Sequence, residues 1–153
     1  IRISEEIRLI KDYLYIQRQR YSNYMDFILD VDEEILEYFI PKLTLQPLVE
    51  NAIYHGLKYR NNKGKIEING YMKDDKIMLT VFDDGIGISK EKIQTILNSQ
   101  SSDKKREDFG LPSVDRRIKL LYGNEYGLHI ESEVGSYTKV FITIPVIKGE
   151  GMI

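Results

Sequence analysis

The chain has no cysteine, only two histidines and no long apolar run. Without cysteine there can be no disulfide framework and no thiolate metal site, which fits a reducing compartment. No stretch approaches the roughly 20 apolar residues of a membrane-spanning helix, and no signal peptide precedes Ile1. We expect a piece cut from a longer chain, with room for a membrane segment upstream. Charge of one sign is also missing: 22 basic against 24 acidic residues leave a formal charge of −2, so nothing pulls the whole molecule towards nucleic acid or an anionic membrane. No internal repeat and no low-complexity tract interrupts the chain.

What is there suits a single soluble domain. With 153 residues, 42% of them hydrophobic, the chain can bury a sizeable core. Residues 4–20 read as a helix. Ser4 is placed to cap it, Glu5 and Glu6 favour its positive end, and Ile3, Ile7, Ile10 and Leu14 recur along one face. In residues 24–31 the alternation of Met25, Phe27, Leu29 and Val31 predicts a strand. Pro41 breaks the chain, and a helix should follow to about Lys58, with Pro47 tolerable only in its first turn. Residues 65–72 and 76–83 alternate around the turn Lys73 to Asp75 and read as a hairpin. Ser89 caps a short helix to about Leu97, residues 98–108 are polar, and Pro112 opens a helix that Gly123 ends after Tyr122. Strands 127–134 and 138–145 close the order α β α β β α α β β. That order predicts an α/β (α+β) two-layer sandwich, with a mixed, mostly antiparallel sheet of about five strands under three amphipathic helices on one face.

Four short stretches carry chemistry. In LTLQPLVENAIYHGL (43–57), Leu45, Leu48, Val49, Ala52 and Ile53 supply an apolar side, yet Asn51 and His55 share a stripe four residues apart. An Asn carbonyl is a good ligand for Mg²⁺, which takes one or two protein oxygens and fills its shell with water and phosphate. In DDGIGI (83–88), the core face of a strand (Ile77, Leu79, Val81) ends in Asp83. A buried carboxylate needs donors, and a purine amine and an ordered water could supply them. Gly85 and Gly87 allow a tight turn and the approach of a flat ligand. In DFGLPSV (108–114), a polar loop runs through Gly110 into a helix start, where backbone N–H groups favour phosphate. In GSYTKV (135–140), Thr138 opens the last strand. Each has a plainer reading when taken alone: a capped core helix with a polar edge, an Asp-Gly turn, a helix start and a surface threonine.

Taken together and in order, the four resemble the nucleotide-binding domain of sensor histidine kinases. That domain belongs to the wider fold shared with DNA gyrase, the heat-shock chaperone and mismatch-repair ATPases, the Bergerat-type ATP-binding fold. The likeness is greatest to the autolysin and sugar-utilisation sensors. It is carried by EEIRLIKDYLYIQRQRY, LQPLVENAIYHG, DDGIGI, and GLPSVDRRIKLLYG leading to GSYTKVFITIP, and it spans about Ser4 to Pro145.

The resemblance implies a set of roles. Asn51 would coordinate the Mg²⁺ that bridges the ATP phosphates, with His55 beside it on the nucleotide helix. Asp83 would accept the adenine amine; Gly85, Gly87 and Ile88 would line the adenine pocket; Gly110 and Leu111 would end the lid over the phosphates; Thr138 would sit near the base and its bound water. Hydrolysing relatives place a general-base Glu four residues before the magnesium Asn. Pro47 stands there and cannot activate water, which leaves Glu50 as a helper for orientation or phosphoacceptor activation. The sequence departs from the family where Tyr54 replaces a basic residue, Asp84 and Ser113 replace asparagines, and Gly110 is the one glycine left of several in the lid. None of these touches the pair Asn51 and Asp83, so ATP binding is expected to survive. The reaction implied is transfer of the γ-phosphoryl of ATP to a histidine. His129 alternates with Glu131 and Glu133 on a strand's outer face and His55 lies within the nucleotide helix, so the acceptor is expected upstream of Ile1, on a helical dimerisation and phosphoacceptor domain. The implied partners are that domain, a response regulator and a second copy in a full-length homodimer, with no nucleic acid. The implied setting is the cytoplasmic part of a membrane-anchored bacterial kinase. Two rivals remain at this point: another ATPase or protein kinase of the superfamily, and a degenerate nucleotide sensor.

Overall fold

A computed structural model describes residues 1–20, 25–54, 64–98 and 110–148. It contains α1 (Ile3–Arg20), β1 (Met25–Val31), a 3₁₀ turn (Glu33–Ile35), α2 (Gln46–Ala52), β2 (Gly64–Lys73), β3 (Lys76–Asp83), α3 (Lys90–Asn98), α4 (Leu111–Tyr122), β4 (Gly127–Glu133) and β5 (Tyr137–Pro145). The five strands form one sheet in the order β1-β2-β3-β5-β4. Only β1 and β2 run parallel; the other pairs are antiparallel.

Strict alternation builds the helix-covered face. Register sets Ile68 beside Val81 and Val81 beside Val140, all buried. Because side chains on a strand point to alternate faces, this row continues through Leu79, Ile142 and Ile130. Onto it α1 brings Ile3, Ile7, Ile10 and Leu14, α2 brings Leu48, Val49 and Ala52, and α4 brings Leu111, Val114 and Ile118. Helices α1, α2 and α4 pack against strands, and α3 packs on α4, so the expected mixed sandwich forms.

Local signals set several ends. Ser89 Oγ accepts from Lys92 N–H at 3.2 Å at the start of α3, Pro47 lies in the first turn of α2, and Gly123 ends α4 with φ 109°. The β2–β3 turn puts Asp74 and Asp75 at φ 53° and 63°, the left-handed pair of a type I′ hairpin.

Distant contacts override the sequence elsewhere. Helix α1 begins at Ile3, not after a Ser4 cap, because Ile3 N–H and Ser4 N–H donate to the carbonyls of Tyr38 and Leu36 at 2.9 and 3.0 Å. That segment includes the 3₁₀ turn, which hydrophobic periodicity does not reveal. The described part of the second helix runs Gln46–Ala52 and widens into a π-type turn at Ile53 and Tyr54; its expected continuation to Lys58 lies outside the described residues.

Candidate nucleotide site

Asp83 is the last residue of β3 on the helix-facing side, and its neighbour across the sheet is Thr138 at the start of β5. Both are 2% exposed. The apolar row of β3 thus ends in a carboxylate beside a hydroxyl. Gly85 N–H donates to Asp83 Oδ1 at 2.9 Å, and a carboxylate has further lone pairs for a second donor. Asp84 extends the β2–β3 pairing: its Oδ1 accepts from Lys65 N–H at 2.8 Å.

The loop after Asp83 is clamped to the β4–β5 turn. Ile86 carbonyl accepts from Gly135 N–H at 2.6 Å, and Ile88 N–H donates to Ser132 Oγ at 2.7 Å. Ser132 donates its single proton to the Tyr137 carbonyl at 2.6 Å, so the 2.9 Å contact with Thr138 must have the Thr138 hydroxyl as donor. A serine hydroxyl offers one donor and two acceptor positions, and here all three are used. The oxygen of Thr138 keeps its lone pairs for a ligand. Ser132 was not among the residues the sequence singled out; its only mark is its place opposite Thr138 in the hairpin.

Gly87 makes the tight turn expected of it, and the neighbouring hairpin adds a second reason for glycine. Its φ is +76°, and a Cβ there would strike the backbone of Glu133 and Val134. The glycine is required by the turn and by the neighbouring hairpin, so the space a side chain would claim is taken by protein.

On the facing layer, α2 packs against β3. Asn51 on this helix is 2% exposed, and Glu50 beside it is half-buried. Gly110 precedes α4 at φ +76°, and among the described residues other than its chain neighbours none lies within 4 Å of where a Cβ would stand. Leu111 behind it is fully buried, and α4 lies beside α2. Buried Ile88 closes the loop side. Ile88 and Leu111 belong to the core between helices and sheet, and Asn51, Asp83 and Thr138 are each buried, while His55 falls outside the described residues. His129 is on the outer face of β4, its ring 5.6 Å from that of Phe141.

Glu6 lies in the first turn of α1 as expected, and its carboxylate also reaches the segment that precedes α2. Glu6 is 2% exposed, and its Oε1 accepts from Leu43 N–H at 2.9 Å while its Oε2 accepts from Thr44 and Leu45 N–H at 3.1 and 2.6 Å. Burial pushes its carboxyl above the ordinary 4.5; the three N–H donors and the Arg117 guanidinium pull back.

The arrangement can hold the groups the resemblance implies. Among the described residues no three His, Asp or Glu side chains converge on a metal position, so a cation here would rest on an oxygen such as that of the Asn51 amide plus oxygens of a ligand and water. That is the ligation Mg²⁺ favours with phosphates.

This layered sheet, with a carboxylate and a hydroxyl at one end of its covered face and an amide on the helix above, defines a class of ATPase-like domain. The family described as "Histidine kinase-, DNA gyrase B-, and HSP90-like ATPase" matches residues 41–148, and the chain belongs to it. Among named relatives, the chain is 37% identical over 145 residues to the sensor histidine kinase YesM of Bacillus subtilis, covering 95% of this chain and 24% of that protein. It is 38% identical over 130 residues to the sensor histidine kinase YpdA of Escherichia coli, covering 85% of this chain and 22% of that protein. The chain thus spans about a quarter of the length of these curated relatives. In shape it matches the catalytic domain of histidine kinase ThkA in a nucleotide-free form, with a TM-score of 0.71, 22% identity and coverage of 97% and 95% of the two chains.

Proposed function

We propose that this chain binds Mg-ATP between α2 and the Asp83 end of the sheet, and that it is the catalytic domain of a sensor histidine kinase. The observation that carries the reading is the end of β3: an apolar, buried row finishing in Asp83 beside Thr138, under the helix that bears Asn51. Asp83 accepts from the exocyclic amine of adenine, and Thr138 accepts from a water or base donor with the lone pairs that Ser132 leaves it. Asn51 holds the magnesium ion, which neutralises phosphate charge when bound. Gly110 and Leu111 end the lid above the phosphates, with the helix N-terminus of α4 favouring the anion. His55 belongs to the same stripe as Asn51.

The γ-phosphoryl passes to a histidine on a helical dimerisation domain upstream, and from there to a response regulator. Phosphoryl transfer needs positioning and charge neutralisation more than covalent help, which is what Asn51 and the lid provide. Glu50 orients or activates the incoming imidazole. Support for the wider assembly comes from the names of the relatives, and from histidine kinase ThkA, solved in complex with response regulator protein TrrA and matching this chain with a TM-score of 0.72. Among the described residues no helix is long and apolar enough to cross a membrane; we place this domain on the cytoplasmic side of a membrane-anchored, homodimeric kinase.

Calorimetric titration with ATP, with and without Mg²⁺, tests the reading. Asp83→Asn keeps an acceptor for Gly85 N–H and should weaken ATP by about ten- to a hundredfold, the loss of one hydrogen bond to a charged group. Asn51→Ala should abolish the gain that Mg²⁺ brings. A wild-type chain that binds no nucleotide at millimolar concentration would sink the proposal.

A further inference from the structure

The described α-helical part of α2 runs Gln46–Ala52, and Leu45, the residue that precedes it, supplies no side-chain cap. The N–H groups of Leu48 and Val49 turn back to the Leu45 carbonyl, and those of the three residues before the helix find their acceptor up to 39 positions away in the chain. Glu6 of α1 takes the N–H groups of Leu43, Thr44 and Leu45 together, and Leu43 adopts φ 60° to present its own. A second side chain holds the same segment from α4: Arg117 Nη2 donates to the Leu43 carbonyl at 3.0 Å and to Thr44 Oγ1 at 3.2 Å. Thr44 Oγ1 in turn donates to the Pro41 carbonyl at 2.6 Å. Three helices thus meet on residues 43–45, and the bonds from Glu6 and Arg117 are hydrogen bonds to a charged group, the strong kind.

Asn51 lies six residues beyond Leu45, which is about 9 Å along a helix axis. A hydrogen-bonded helix is stiff over that distance, so a shift at its first residue is carried to Asn51. We propose that Glu6 is a positioning residue for the magnesium end of the nucleotide site: through the amide groups of residues 43–45 it fixes where the Asn51 amide stands. The claim rests on the reading of Asn51 and Asp83 given above. It separates the two ends of that site, because Asp83 is set by β3 and its loop, which Glu6 does not touch. Burying the carboxyl group costs stability, and its two oxygens together accept all three donors.

The test uses the 153-residue chain titrated with Mg-ATP and, separately, with adenosine. In Glu6→Gln the carboxamide offers one acceptor oxygen, not two, and sets an NH₂ against backbone N–H groups. We expect Mg-ATP to bind about tenfold more weakly, with adenosine affinity unchanged within about twofold. Unchanged Mg-ATP affinity would overturn the proposal. So would a parallel loss of both ligands with loss of cooperative melting, since Glu6 would then be holding the fold alone. Should Glu6→Gln not fold, Arg117→Gln loosens the same segment from the other side and must show the same split; equal loss for both ligands overturns the idea as well. A wild-type chain that binds neither ligand sinks the nucleotide site itself, whereas wild-type binding with an unaltered Glu6→Gln sinks only the role of Glu6.

Discussion

Two residues show how a single side chain, or its absence, can decide local structure. Gly87 is fixed twice, by its left-handed φ of +76° and by the backbone of Glu133 and Val134 where a Cβ would stand. The left-handed conformation alone costs an L-residue about 1–2 kcal/mol, and the backbone contact cannot yield as a flexible side chain would. Gly87→Ala should therefore lower stability by more than about 2 kcal/mol, read as a fall in the urea midpoint, and should weaken adenosine binding as the loop shifts. Glu6 gives a pH signature. Its folded pKa is raised above 4.5, chiefly by burial, so folding favours the protonated form. Its contribution to stability is fully present below pH 4.5 and is lost as pH rises through the folded value. Glu6→Gln cannot titrate. The stability of wild type relative to Glu6→Gln, from urea melts across pH 4 to 8, should fall as pH rises. A flat difference would show that the carboxyl is not buried as described.

At the scale of elements, the site depends on two hairpins being pinned together. The β2–β3 hairpin delivers Asp83, the β4–β5 hairpin delivers Thr138, and Ser132 links the second to the loop that leaves the first. Ser132→Ala strands the Ile88 N–H and the Thr138 hydroxyl in a partly buried setting. Leaving a buried polar group unmatched costs about 1–3 kcal/mol, so we expect a loss of that size in a denaturant melt, and weaker adenosine binding. Ser132→Thr, which keeps the hydroxyl, should lose less. The strands were legible from alternation: Ile66, Ile68, Ile77, Leu79 and Val81 all face the helices as expected. So were the Ser89 cap, the Gly123 stop and Pro47 in a first turn. The start of α1 was not, since it is set by hydrogen bonds from Ile3 and Ser4 to the carbonyls of residues 38 and 36, pairings with no local periodicity; nor was the 3₁₀ turn, a single short turn that hydrophobic spacing does not mark.

For the whole molecule, the histidines carry the prediction. His129 stands on the outer face of β4, against Phe141, away from the covered face that holds Asp83 and Asn51. The chain alone, incubated with γ-labelled Mg-ATP, should bind nucleotide yet acquire no phosphate that is stable to base and labile to acid. Label on His129 or His55 would show that the acceptor lies within this chain. Label that appears only after a dimeric helical acceptor domain is supplied would match the proposed division of labour.

The sequence by itself determined the kind of layers this protein builds and which residues end them in polar groups. Alternation and 3.6-residue spacing are read from near neighbours, and Asp83 and Asn51 stand out because each breaks an apolar pattern. Tertiary structure alone decided what holds those groups: that Gly87 makes room for a neighbouring turn, that Ser132 is saturated so Thr138 can still accept, and that Glu6 serves the start of another helix. Those contacts join residues more than three dozen positions apart in the chain, except the bonds of Ser132 to Tyr137 and Thr138 within one hairpin. Periodicity encodes which face a side chain takes, but the partner it meets there depends on how the layers pack.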